Sequence, residues 1–208
     1  MEIDLKNVSK TISGAKILKA VSMELRGGRI YGLKGINGSG KTMLMRAMLG
    51  LIRPTSGEIL VDGKRLGDCF PNAGFLIENP AFLGQYTGYT NLMLLAKLTN
   101  KIGGSEVEKT LKRVGLAPED RRKFRKYSLG MKQKLGIAAA VMEKPDLVVL
   151  DEPFNALDEA SVEITRKIIL EEKARGAIVV LACHDGEMLE NLADEIYLME
   201  EGRLTPAT

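Results

Sequence analysis

Cysteine is scarce in this 208-residue sequence: only Cys69 and Cys183 occur, at a spacing that matches neither a metal-ligand nor a redox motif. They read as reduced, semi-buried thiols of a cytosolic protein. Long apolar runs are missing as well. The longest clean stretch is Ala177 to Cys183, far short of the ~20 residues that a membrane-spanning helix needs. A role at a membrane therefore requires another polypeptide to supply the span. The N-terminus, Met1-Glu2-Ile3-Asp4, has neither the basic nor the apolar region of a signal peptide. A strong charge of one sign is also absent. The net charge is +3 and the pI about 8.8, whereas a domain that grips a phosphate backbone usually has a pI above ~9 and clustered basic residues. No nucleic-acid partner is expected, and the single basic run, Arg121 to Lys126, reads as a solvated face. There is no internal repeat, low-complexity tract or long linker.

What is present is an ordinary soluble composition, 45% hydrophobic and 27% charged, on a chain long enough for one substantial core with a small inserted subdomain. Strand and helix signals alternate, which predicts an α/β fold. Strands are expected at 3–8, 16–25, 29–33, 58–61, 72–77, 147–150, 178–183 and 196–199, and helices at 43–49 and 161–175. Between about Asn79 and Leu135 the pattern turns mostly helical, with helices at 91–98 and 106–114 separated by Gly103-Gly104. This predicts a helical insertion.

Gly35-Ile36-Asn37-Gly38-Ser39-Gly40-Lys41-Thr42 fits G-x-x-x-x-G-K-[ST], with a strand before it and a helix after it. Gly35, Gly38 and Gly40 let the loop curl so that backbone N–H groups, from Asn37 through Met43, point inward at phosphate oxygens. The following helix adds its positive end. Lys41 reaches the β- and γ-phosphates, and the Thr42 hydroxyl helps to hold Mg²⁺. The chain is thus expected to bind and hydrolyse ATP.

The apolar strand Leu147 to Leu150 ends in Asp151-Glu152-Pro153. An acid at the carboxyl end of a buried parallel strand sits where open α/β sheets bind ligands. Asp151 would complete the Mg²⁺ shell, and Glu152 would polarise the attacking water. His184, the lone histidine, follows another apolar strand and falls on the same rim, either as a γ-phosphate sensor or as a structural residue. Ser128 is placed to cap a helix over Met131 to Met142, which makes a second anion-binding helix end. One nucleotide does not need two such ends in a single chain unless the second serves a neighbour.

Three stretches together carry a family resemblance: the glycine loop; Tyr127-Ser128-Leu129-Gly130-Met131-Lys132-Gln133; and Leu150-Asp151-Glu152-Pro153 with Asn155-Ala156-Leu157-Asp158 and then His184. Over nearly its whole length the chain resembles an ATP-binding cassette (ABC) transporter ATPase domain. The resemblance implies a P-loop NTPase fold with a RecA-like core, an N-terminal antiparallel β subdomain and an inserted helical subdomain at about 79–135, in a single domain over 1–208. It makes Ser128, Leu129, Gly130 and Met131 a signature that acts in trans, Asp158 the D-loop aspartate and His184 the switch histidine. Two cassettes, identical or different, would close around two MgATP and drive a membrane permease from its cytoplasmic face. Phe82, Leu83, Tyr86 and Tyr89 could receive a helix of that permease, or pack in the core.

Two positions depart from the family pattern. Glu78 stands where a glutamine is usual; it would bind Mg²⁺ or water, or be an exposed loop acid. With Tyr-Ser-Leu-Gly-Met-Lys-Gln, it resembles exporters of antimicrobial peptides of the lantibiotic and bacitracin type. Ile12 aligns where an aromatic ring usually stacks on adenine; losing a stack worth ~1–3 kcal/mol predicts that GTP is accepted within about tenfold of ATP. Such exporters often carry a C-terminal extension, and with the chain stopping soon after Leu204 no dedicated regulatory domain is expected. A soluble cassette working on ribosomes or DNA is the alternative, expected to show a tandem cassette, coiled coil or basic arm. A small P-loop kinase would need an arginine-rich lid.

Overall fold

A computed structural model describes residues 1–184 and 186–207. The N-terminal strands β1 (Glu2–Ile12) and β2 (Ala15–Arg26) form a long hairpin that is joined by β4 (Ser56–Val61) and β5 (Lys64–Arg65) in an antiparallel sheet of order β2-β1-β4-β5. The second sheet contains β3 (Arg29–Lys34), β6 (Ala73–Leu76), β7 (Leu147–Asp151), β8 (Ile178–Ala182), β9 (Glu195–Glu200) and β10 (Arg203–Pro206), in the order β10-β9-β3-β8-β7-β6. All its pairings are parallel except β9 with β10. Helices are α1 (Lys41–Met48), α2 (Gly88–Thr99), α3 (Gly104–Arg113), α4 (Leu129–Val141), α5 (Glu159–Ala174) and α6 (Gly186–Glu190).

The parallel strands are apolar runs because both of their faces are covered. On β7, Leu147 and Val149 belong to the cluster shared with α1 and the antiparallel sheet, while Val148 and Leu150 belong to the cluster shared with α2, α3, α4 and α5. On β8, Ile178, Val180 and Ala182 face the first cluster, and Val179 and Leu181 the second. Parallel pairing of β3, β8, β7 and β6 places their carboxyl ends along one rim.

β1 runs past its expected end at Val8 because register shifts near Val8 and Lys10, with Asn7 and Ala20 at positive φ, break the alternation of the sequence without ending the pairing. The expected helical insertion holds α2 and α3 and runs into α4; Ser128 caps α4 by accepting a hydrogen bond from the Met131 amide at 3.2 Å. Of the aromatic-rich cluster, Phe82 packs edge-on against Phe124 and Tyr89 against the core, while Leu83 and Tyr86 are exposed.

α4 lies against the sheet most closely at Gly74. A Cβ at Gly74 of β6 would stand 1.7 Å from the Ala140 carbonyl oxygen. Gly74→Ala is therefore expected to cost ~1–3 kcal/mol or more, since a packed backbone must move, seen in thermal unfolding as a Tm lowered by about 2–4 °C per kcal/mol.

Candidate functional site

The glycine loop leaves β3 and enters α1, as the sequence requires. Gly40, at φ 115°, caps α1, and a Cβ there would meet the Met199 side chain at 2.8 Å. The Lys41 ammonium folds back and donates to the Gly35 carbonyl at 2.6 Å and the Ile36 carbonyl at 3.1 Å, so a cation is held buried inside the loop. Ser39 Oγ is the only buried side-chain oxygen or nitrogen among the described residues that lacks a hydrogen-bond partner. Buried polar groups are rarely left unpaired, and this one lies in the loop that is to hold phosphates.

Beside the loop, Thr42 Oγ1 donates to Asp151 Oδ2 at 2.7 Å, which brings the end of β7 to the start of α1. Burial pushes the Asp151 carboxyl above its ordinary range; the Thr42 hydrogen bond and Lys41 oppose this, and Glu152 and Glu78 add to it. A hydroxyl and an ill-solvated carboxylate with two acids nearby are hard oxygen donors suited to a divalent cation. The sign follows: a raised pKa favours folding below the unfolded value of 3.8, and that benefit is lost as pH rises through the folded value. At neutral pH without Mg²⁺ the ionised group destabilises the fold, so Asp151→Asn should raise the Tm of the nucleotide-free protein while removing Mg²⁺-dependent turnover.

Glu152, at φ 50°, is fixed from three sides. Its amide donates to the Ala182 carbonyl at 2.8 Å, its carbonyl accepts from Gln133 Nε2 at 2.8 Å, and Oε2 lies 2.7 Å from His184 Nδ1. His184 is thus joined to the acid on the neighbouring strand.

Loop and acids line a cavity of about 490 Å³, together with Ile17, Glu78, Gln133 and Asn155. Two expected residues have surroundings the sequence did not show. Ile12 ends β1 at the hairpin tip, 42% exposed and outside that lining, and the aliphatic side chain that does line the cavity is Ile17 of β2. Alignment to the family pattern finds a position in sequence, but the bulged hairpin decides which side chain faces the cavity. Glu78 lines the cavity, but its Oε1 accepts from Arg46 of α1 at 2.6 Å. Gln133, which the sequence marked only as part of the signature stretch, reaches the backbone of Glu152 from α4.

Ser128, Leu129, Gly130 and Met131 line none of this cavity, and Ser128 and Leu129 are exposed, Leu129 by 70%. Gly130 packs where a Cβ would lie 2.7 Å from the Ala156 carbonyl oxygen, so the start of α4 rests on the segment that follows Glu152. At the end of that segment Asp158 caps α5 by accepting from the Ser161 amide at 2.9 Å, and this bonding to Ser161 lowers its pKa.

The family model described as ABC transporter matches residues 18–155. An ABC transporter ATP-binding protein of Bacillus subtilis, YybJ, is 43% identical over 97% of this chain and 94% of its own. The bacitracin transport ATP-binding protein BcrA of Enterococcus faecalis is 39% identical over 97% of this chain and 67% of its own. A solved dimeric ATP-binding cassette in a post-hydrolysis state, bound to ADP and Pi, superposes with a TM-score of 0.91 at 22% identity, covering 99% of this chain and 98% of that one.

Proposed function

The chain belongs to the ABC transporter family and is an ATPase of the ATP-binding cassette kind; from that premise we propose that it pairs with a second cassette around two MgATP and powers a separate permease that exports peptide or drug-like substrates. The observation that carries the pairing is the signature end of α4, capped, exposed and outside its own nucleotide cavity. A helix end that offers N–H donors to an anion but cannot reach its own site is available to a neighbour's. The bacitracin transport named for BcrA supports a peptide-like substrate.

Within one site, the loop amides and Lys41 bind and orient the triphosphate. Thr42 and Asp151 would hold Mg²⁺, which supplies neutralisation of charge on the phosphate oxygens. Glu152 takes the proton of the attacking water, and His184, hydrogen-bonded to it, fixes its direction. Glu78, released from Arg46, would turn to the cation or its water.

No helix among the described residues is long and apolar enough to cross a membrane, so attachment to the cytoplasmic face would run through the permease. Copurification with a polypeptide of several membrane spans, encoded beside this gene, tests that reading; a cassette recovered only with ribosomes would replace it. With Ile12 where an aromatic ring is usual and only aliphatic Ile17 lining the cavity on that side, adenine would have no ring to stack on, and GTP should compete with ATP within about tenfold. Competition assays showing strict ATP preference would contradict this.

A further inference from the structure

The fold sets Cys183 beside Glu152, the carboxylate proposed as general base. Ligand atoms of Glu152, Cys183 and His184 all lie within 4.8 Å of one another, although the first two are 31 positions apart in sequence. Cys183 continues β8 and is buried, Glu152 is half-buried at the end of β7, and His184 is exposed, so the triad opens to solvent on its histidine side. We propose that these three residues form an inhibitory site for a thiophilic divalent cation, with Zn²⁺ as the probe.

The donor set is thiolate, imidazole and carboxylate, which favours zinc over Mg²⁺. Tetrahedral zinc takes sulfur at ~2.3 Å and nitrogen or oxygen at ~2.0–2.2 Å, so its ligands stand about 3.3–3.6 Å apart. The 2.7 Å contact between His184 Nδ1 and Glu152 Oε2 must open slightly and the wider separations close. Exposed His184 can adjust by side-chain rotation, and a solvent molecule can take the fourth position. On binding, the Cys183 thiol gives its proton to solvent and sulfur, nitrogen and oxygen lone pairs go to the metal; no redox partner is needed. The consequence follows from what is bound. The carboxylate that accepts the water's proton and the imidazole that orients it are both tied to the ion, so turnover stops while Lys41 and the loop still bind nucleotide.

The inhibition rests on the proposed roles of Glu152 and His184; metal binding does not. The test compares the wild type, Cys183→Ser, Cys183→Ala and Cys69→Ser. Loading Co²⁺ in place of Zn²⁺ should give a thiolate charge-transfer absorption in the wild type and Cys69→Ser that both Cys183 variants lack. With MgATP held constant, Zn²⁺ should inhibit the wild type and Cys69→Ser, while the Cys183 variants keep basal turnover and need at least ~10–100-fold more Zn²⁺. Equal inhibition of all four proteins, or a cobalt spectrum unchanged by Cys183→Ser, overturns the site. A Cys183-dependent cobalt spectrum on a protein that hydrolyses no ATP would leave the metal site standing and refute the ATPase mechanism instead.

Discussion

Glu152→Gln is expected to cut ATP turnover by ~10²–10⁴-fold, the usual worth of a positioned general base, without weakening MgATP binding. The substitution changes one atom that must accept a proton and leaves the supports in place. The Glu152 amide still donates to Ala182, the carbonyl still accepts from Gln133, and a glutamine oxygen can still meet a protonated His184 Nδ1. Pre-steady-state measurements should therefore find nucleotide bound at wild-type affinity and phosphate release nearly absent. Because hydrolysis is what separates the proposed pair, this variant should also accumulate as an ATP-bound dimer in gel filtration. Turnover within a few-fold of wild type would remove Glu152 from the role of base.

The second large effect is expected at Lys41. Its ammonium is buried and already placed by the Gly35 and Ile36 carbonyls, so it would meet phosphate with little ordering cost. Lys41→Ala removes that charge and leaves two loop carbonyls without their donor. Truncating one member of a buried, hydrogen-bonded charge pair costs ~2–5 kcal/mol, or about 30- to 4,000-fold in affinity at ~1.4 kcal/mol per tenfold. Titration with a fluorescent nucleotide should show binding lost from the working range, with the fold intact by circular dichroism. Undiminished affinity would mean that the loop holds nucleotide by its amides alone.

The parts of the site that sequence made legible are those built locally. The glycine loop carries its own turn chemistry between β3 and α1, and the apolar runs of β7 and β8 announce strands covered on both faces, so Asp151, Glu152 and His184 could be placed on one rim. The Ser128 cap was equally local. Less was visible at the edges. β5 is two residues long and exposed, and β10 is an edge strand of mixed polarity that includes Pro206; neither has a periodic pattern to read. That Ile17 lines the cavity was not visible, because bulges in a hairpin are set by cross-strand register. The pairing of Glu78 with Arg46 spans 32 residues, and Cys183 meets Glu152 across neighbouring parallel strands. Such meetings belong to the topology of the sheet, and spacing along the chain does not encode them.

The most direct test of the composite site is ATP turnover per chain as a function of protein concentration. If each cavity must wait for another chain's signature, turnover per chain climbs with concentration and levels off as a species of about 45 kDa, twice 22.7, becomes dominant. Turnover that is constant at every concentration, carried by a species of one chain's mass, would contradict the account.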